Sequence, residues 1–356
     1  MLASRVQMLV MLLAVPGIGM LAACGGGGSD SDSSSVSAGS ASATGSSASS
    51  SASSRNSSSA ASGGSSSVSS SAAGSAASSS SASVASSTSS SANSSSAKSS
   101  SASSGSITNS ADVPAGYSLA WHDEFDTDGL PDSANWVYDT EANATGWYNN
   151  ELQYYAVARL ANSHAAAGVL SITATREALT TASDYGGQQY TSARLITRGK
   201  ASWTYGYFEI RAKLPCGQGT WPAIWMLGTA DNWPASGEID IMEQTGQQPT
   251  LIEGTIHNSA TAGTSGDGGT TTLSDACSAF HNYEMTWTAD KIVIAVDGKA
   301  YHTYNNPGTG TAAWPFSAPQ YLLLNLAIGG DMGGTVDDSI FPRSMLVEYV
   351  RVYQKK

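Results

Sequence analysis

An all-β sandwich or barrel is the fold that this 356-residue sequence predicts for its C-terminal part. Three observations carry the prediction. Short runs alternate apolar and polar residues, as half-exposed antiparallel strands do. No long segment repeats its apolar residues at the helical period. Gly, Asn and Asp separate the runs, supplying the turns of a meandering sheet. In chain order the predicted strands are 169–177, 192–196, 205–214, 238–243, 251–257, 283–287, 291–296 and 345–353. In 169–177, Leu170, Ile172 and Ala174 alternate with Ser171, Thr173 and Thr175. In 205–214, Phe208, Ile210 and Ala212 alternate with Glu209, Arg211 and Lys213. Asp297-Gly298 stands between 291–296 and Lys299-Ala300-Tyr301-His302, a strong two-residue hairpin signal. No internal repeat or second module is legible.

Composition divides the chain. All nine Trp, fifteen Tyr and five Phe lie between Tyr117 and Tyr353. From Gly25 to about Ala111 the sequence is Ser, Ala and Gly, with no aromatic residue and almost no charge. Such a segment cannot bury enough apolar surface to offset its chain entropy, so it is expected to be disordered. The expected organisation is a targeting segment at 1–23, a linker at 24–111 and one folded domain at 112–356. Arg5 supplies a short positive region, and Met8 to Leu21 form an apolar stretch broken by Pro16 and Gly17, too short for a permanent membrane span. About eighty flexible residues reach roughly 50 Å, so the linker reads as a tether. The folded part carries 26 of the 28 acidic residues (all but Asp30 and Asp32) and 13 of the 16 basic ones (all but Arg5, Arg55 and Lys98). That acidic balance argues against nucleic acid or anionic lipid as a partner and fits a neutral polymer. Cys216 and Cys277 are the two cysteines of the folded part. Export to an oxidising compartment makes a disulfide between them the expectation, with two separate buried thiols as the alternative.

The run Gly237-Glu238-Ile239-Asp240-Ile241-Met242-Glu243 places three carboxylates within six positions of an apolar strand. Like charges sharing a site resist ionising together, a cost that a fold accepts mainly where chemistry needs it. Strand alternation puts Glu238 and Asp240 on one face and Ile239 and Ile241 on the other. Strict alternation would send Glu243 to the wrong face. One extra residue, Met242 or Ile241, forming a β-bulge swings it back beside the other two. Two carboxyl groups about 5–5.5 Å apart are the arrangement of a retaining glycosidase.

This run resembles the active-site signature of glycoside hydrolase family 16. The flanking segments Trp221-Pro222-Ala223-Ile224-Trp225-Met226-Leu227 and Glu253-Gly254-Thr255-Ile256-His257-Asn258 agree with it. Asn149-Asn150-Glu151-Leu152-Gln153-Tyr154-Tyr155 resembles the bacterial laminarinases, which cleave β-1,3-glucans. The similarity extends over 117–354. It implies a β-jelly-roll sandwich of two curved antiparallel sheets with a substrate cleft on the concave face. It also implies Glu238 as nucleophile, Glu243 as general acid/base, and Asp240 between them to orient the nucleophile and keep the Glu243 proton in place. Trp221 and Trp225, four apart on a strand that Pro222 keeps from being helical, become platforms for sugar rings, with two core tryptophans as the plainer alternative. His257 is implied to hydrogen-bond sugar or the acid/base, and Asn149 and Arg194 to contact sugar hydroxyls. Glu151, Trp147 and Asn325 are weaker candidates, because loop-stabilising roles explain them equally well. Leu21-Ala22-Ala23-Cys24 resembles the lipobox of bacterial lipoproteins. That likeness implies cleavage before Cys24, lipid anchoring through it, and a place in the cell envelope, with Gly25 leaning towards the outer membrane. An ordinary signal peptide and a secreted enzyme are the alternative.

No phosphate-binding loop, His-x-x-x-His pair or cysteine cluster is present, so no cofactor is expected for catalysis. Many family members bind a structural calcium through an Asp just before the final Tyr-Val-Arg-Val-Tyr strand. Glu348 stands at that place here, which leaves calcium open. Gly329-Gly330-Asp331-Met332-Gly333-Gly334 also departs from the Asn-Trp that related laminarinases often carry. The leading expectation is a monomeric endo-β-1,3-glucanase acting on β-glucan. The inserted Met242 favours it over mixed-linkage β-glucan or galactan as substrate. A non-catalytic glucan-binding protein is a further alternative, which the presence of all three acids disfavours.

Overall fold

The computed structural model describes residues 113–356 except 231 and 263. The targeting segment at 1–23, Cys24 and the whole of the linker to 111 lie outside the described residues, which form strands and very little helix. The strands are β1 (Tyr117–Asp123), β2 (Val137–Tyr138), β3 (Gln153–Tyr155), β4 (Ser163–Ala166), β5 (Val169–Ala174), β6 (Tyr190–Ser192), β7 (Arg194–Ile196), β8 (Gly206–Lys213) and β9 (Thr220–Gly228). They continue as β10 (Glu238–Glu243), β11 (Leu251–His257), β12 (Asp267–Thr272), β13 (His281–Trp287), β14 (Lys291–Val296), β15 (Lys299–Asn305), β16 (Gln320–Ile328) and β17 (Arg343–Lys355). A single α-turn, α1 (Gly330–Gly333), and two 3₁₀ turns, Tyr148–Asn150 and Asp338–Ile340, are added to these.

Two antiparallel sheets make the sandwich. One runs β12-β11-β10-β9-β16-β7-β2; the other runs β15-β14-β13-β8-β17-β5-β4, with β1 paired to β17. A small parallel pair, β3 with β6, lies outside both. Their inner faces share one core. Ile224, Met226, Ile239, Ile252, Leu322 and Leu324 come from the first sheet, and Phe208, Ile210, Met285, Ile294, Val350 and Val352 from the second. Each fully buried side chain of this kind contributes about 1.5–3 kcal/mol of transfer free energy. The hairpin turn at Asp297 and Gly298 takes φ of 47° and 72°, the two left-handed positions that the Asp-Gly pair predicts.

Several features differ from the sequence-based expectation: β1, β2, β3, β4, β12 and β16 lie outside every predicted strand, and one predicted strand is divided. The run 192–196 is two strands, because the chain leaves the β3 pair at Ser192 and joins β16 at Arg194. Strand β16 was not expected at all. Its nine residues are all buried, since Tyr321 and Leu323 pack on the outer face with Ile196 while their neighbours enter the core. A strand covered on both faces has no alternation to detect. Cys216 and Cys277 form a disulfide with Cα atoms 5.7 Å apart, tying the segment after β8 to the segment before β13.

Candidate active site

Strand β10 carries a bulge. Trp225 pairs with Asp240 and the next β9 residue, Ile224, pairs with Met242, so Ile241 is the extra residue. Against β11 the same displacement falls between Asp240 and Glu243, which pair with Thr255 and Glu253. Ile241 and Met242 in consequence both enter the core and are fully buried. Glu243 returns to the face of Glu238 and Asp240. Of the two residues that could supply the insertion, the β9 register singles out Ile241.

The ladders line up three rows across the outer face of this sheet. His257, Glu238, Leu227 and Tyr321 form one; Thr255, Asp240, Trp225 and Leu323 the second; Glu253, Glu243, Ala223, Asn325 and Arg194 the third. Trp221 Nε1 donates to Glu243 Oε1 at 3.0 Å, and Trp233 Nε1 donates to Glu238 Oε2 at 2.5 Å. His257 Nε2 lies 3.2 Å from Asp240 Oδ2. Burial, then the Asp240 charge, pushes the Glu238 carboxyl up to about 7. The same two causes hold Glu243 well above the ordinary carboxylate range. Burial alone would lower His257, but its hydrogen bond to Asp240 and the charges of Asp240, Glu238 and Glu243 outweigh it and raise the imidazole to about 9. The row is thus two glutamates of raised proton affinity flanking Asp240, which faces the His257 imidazole.

A second group of side chains adjoins the third row. The Arg194 guanidinium sits 4.7 Å from the Trp225 ring centroid and 5.0 Å from that of Trp147, with Nε 2.9 Å from Asp139 Oδ2. Trp225 Nε1 donates to Asn325 Oδ1 at 2.7 Å, and Asn325 Nδ2 donates to the Tyr155 hydroxyl at 2.9 Å. Glu151 accepts from Gln153 at 2.7 Å, and burial raises its carboxyl against the opposing charge of Arg194. Asn149 is held at φ 54° in its 3₁₀ turn, and its Oδ1 is buried with no hydrogen-bond partner. That turn is pinned by Asn150 Nδ2 donating to Asp331 Oδ1 at 2.7 Å and by a bridge from Glu151 to Gly329. The glycine-rich 329–334 segment is therefore the support of the Asn149 turn.

All eight sequence-derived site residues of the folded part lie on or beside this face. Trp233 and Asp139 escaped sequence reasoning. Trp233 stands in an irregular loop where no periodicity marks it, and its only signal is its nearness to Glu238. Asp139 is made relevant solely by its distant partner Arg194. Glu348, where the resemblance places a calcium-binding carboxylate, is hydrogen-bonded by Arg211 Nε at 2.5 Å. Among the described residues no three His, Cys, Asp or Glu side chains gather in a way that could hold a metal ion. A guanidinium already neutralising Glu348 does not fit a calcium ligand.

The model of the glycosyl hydrolases family 16 matches residues 150–339, more than half of the chain. The chain belongs to that family. A β-glucanase of Rhodothermus marinus is 45% identical over 261 residues, covering 69% of this chain and 88% of the relative. The crystal structure of a non-specific endo-β-1,3(4)-glucanase of family 16 is similar with a TM-score of 0.67 at 52% identity, covering 68% of this chain and 93% of that one. The laminarinase from Rhodothermus marinus gives a TM-score of 0.63 at 47% identity over 67% of this chain and 97% of its own. The two sheets described above are the family 16 jelly roll, and the chain is a glycoside hydrolase.

Proposed function

We propose that the chain is an endo-acting, retaining hydrolase of β-1,3-glucosidic linkages in laminarin-type glucans. The observation that carries this reading is the bulge that sets Glu238, Asp240 and Glu243 on one face, with Glu243 held well above the ordinary carboxylate range so that it keeps the proton an acid must deliver. In the first step an oxygen of Glu238, in its ionised form, attacks the anomeric carbon. The glycosidic C–O bond breaks, and the departing oxygen takes the Glu243 proton. In the second step Glu243, now a carboxylate, removes a proton from water. The water oxygen bonds to the anomeric carbon, and Glu238 leaves as a carboxylate. Trp221 occupies one oxygen of Glu243 and Trp233 one oxygen of Glu238, which leaves the second oxygen of each for proton transfer and attack. Asp240 maintains the proton on Glu243 through its charge. No cofactor enters either step.

Trp225, Asn149 and His257 are the side chains we assign to sugar contact. Trp225 is half-buried and Asn149 has an unsatisfied buried acceptor. Arg194 acts by bracing Trp225 and Trp147, since its own guanidinium is committed to Asp139 and the two indoles. The β-1,3 assignment rests on the inserted residue in β10, the 149–155 segment and the likeness to a laminarinase. Mixed-linkage β-1,3-1,4-glucan is the second reading, favoured by the likeness to a non-specific endo-β-1,3(4)-glucanase. Reducing-sugar release from laminarin, lichenan and agarose in parallel tests it. Laminarin is expected to be cut fastest, lichenan more slowly, each to a ladder of oligosaccharides; activity on agarose alone would overturn the reading.

The domain boundaries and export belong to the same proposal. A signal peptide at 1–23 is cut before Cys24, which carries lipid, and 24–111 tethers the 112–356 domain outward from the envelope as a monomer. The Leu21-Ala22-Ala23-Cys24 sequence and the Cys216–Cys277 disulfide support it. Labelled palmitate is expected to enter the wild type and to be absent from Cys24→Ala; equal labelling of both refutes the anchor.

A further inference from the structure

The bulge in β10 leaves a peptide with no ladder to join. Ile241 has no partner in β9 or in β11. A buried carbonyl left unpaired is costly, so a bulge at this depth needs another donor. That donor comes from the opposite sheet. The Tyr301 hydroxyl donates to the Ile241 carbonyl oxygen at 2.6 Å.

Tyr301 reaches it because β15 is itself bulged. His302 pairs with Ile294 and Ala300 pairs with Ala295, so Tyr301 is the extra residue of its own strand. Its ring is thereby turned inward and packs against the core. The ring passes β11 at Gly254, where a Cβ would lie 3.0 Å from both Tyr301 Cε2 and its hydroxyl, and 3.1 Å from the Asp240 carbonyl oxygen. Two bulges, one in each sheet, thus meet through one hydroxyl, and a glycine clears the way.

We infer that Tyr301 is a positioning residue for catalysis: its hydroxyl latches the β10 bulge at Ile241 and so fixes where Glu243 presents its proton. This rests on the reading of Glu243 as the general acid. Tyr301 touches neither substrate nor reacting atoms and acts only through the backbone two residues before Glu243. Without the hydroxyl, the Ile241 peptide turns to find another donor and carries Glu243 with it. Small misplacements of a catalytic group cost up to about a hundredfold in rate.

The test is Tyr301→Phe, which removes one oxygen and keeps the ring. Values of kcat/KM are compared on laminarin, whose leaving group needs a proton, and on a 2,4-dinitrophenyl β-laminaribioside, whose leaving group does not. The latch predicts a loss of about tenfold or more on laminarin and a change within about twofold on the dinitrophenyl substrate. Gly254→Ala, which pushes the ring aside, is expected to give the same leaving-group dependence. Thermal melts place the assays below the unfolding range of each variant. Equal losses on both substrates, or no loss on either, would overturn the latch. A wild type inactive on both would overturn the proposed function instead, and the latch with it.

Discussion

At the scale of the residue, the chemistry depends on how far burial and neighbouring charge move the Glu238 and Glu243 carboxyl groups and the His257 imidazole. Glu238→Gln and Glu243→Gln are each expected to lower laminarin turnover by about two orders of magnitude or more while the fold persists, as judged by circular dichroism. The same substitution at Glu238 has a stability signature. Its carboxyl is raised to about 7 in the folded state, so the folded chain holds that proton more tightly than the unfolded chain does. Stability from this group is full below the ordinary carboxylate range and is lost as pH rises through about 7. Glu238→Gln is therefore expected to exceed the wild type in stability at pH 8 by on the order of 2 kcal/mol and to match it near pH 4, by denaturant titration. His257 works in the opposite sense, because its positive charge lowers both glutamates. His257→Gln should move the whole bell of kcat/KM to higher pH, by about half a unit to one unit. An unmoved or downward-shifted profile would show that the imidazole does not act electrostatically.

At the scale of the element, the decisive device is the insertion in β10. Parity gives a direct prediction. Deleting Ile241 leaves Glu-Ile-Asp-Met-Glu, a regular alternation in which all three acids still share a face, whereas inserting one alanine between Met242 and Glu243 turns Glu243 into the core. The deletion is expected to keep measurable laminarin hydrolysis despite a core cavity costing about 2–5 kcal/mol, and the insertion to abolish it. Equal inactivity in two folded variants would defeat the parity argument. The same scale shows what could be read in advance. Alternation exposed β5, β8, β11, β13 and β14, because each has one face in the core and one outside it. It failed for β16, buried on both faces, and for β12, whose Asp-Gly-Gly-Thr-Thr-Thr has no apolar set at all. The three acids were legible from spacing, and both tryptophans of β9 through the family resemblance. Trp233, Asp139 and Tyr301 were not, since each matters through a partner that only the folded chain brings near.

At the scale of the whole molecule, the sandwich gives each sheet a separate task. The eight-stranded sheet closes the core, and through Tyr301 it also supports the strand that bears the carboxylates. The seven-stranded sheet presents three registered rows, so that side chains from β7, β9, β10, β11 and β16 meet on one surface without a loop having to hold the reacting groups. Sites built on strands in this way are positioned by the ladder itself. The central claim is that this surface performs double displacement. Two inversions at one carbon restore the starting configuration, so the first product must be the β-anomer. The most direct measurement is proton NMR of the anomeric signals during the first minutes of laminarin-oligosaccharide hydrolysis. The account predicts that the β-anomer forms first and the α-anomer grows in only by mutarotation; initial release of the α-anomer would contradict it.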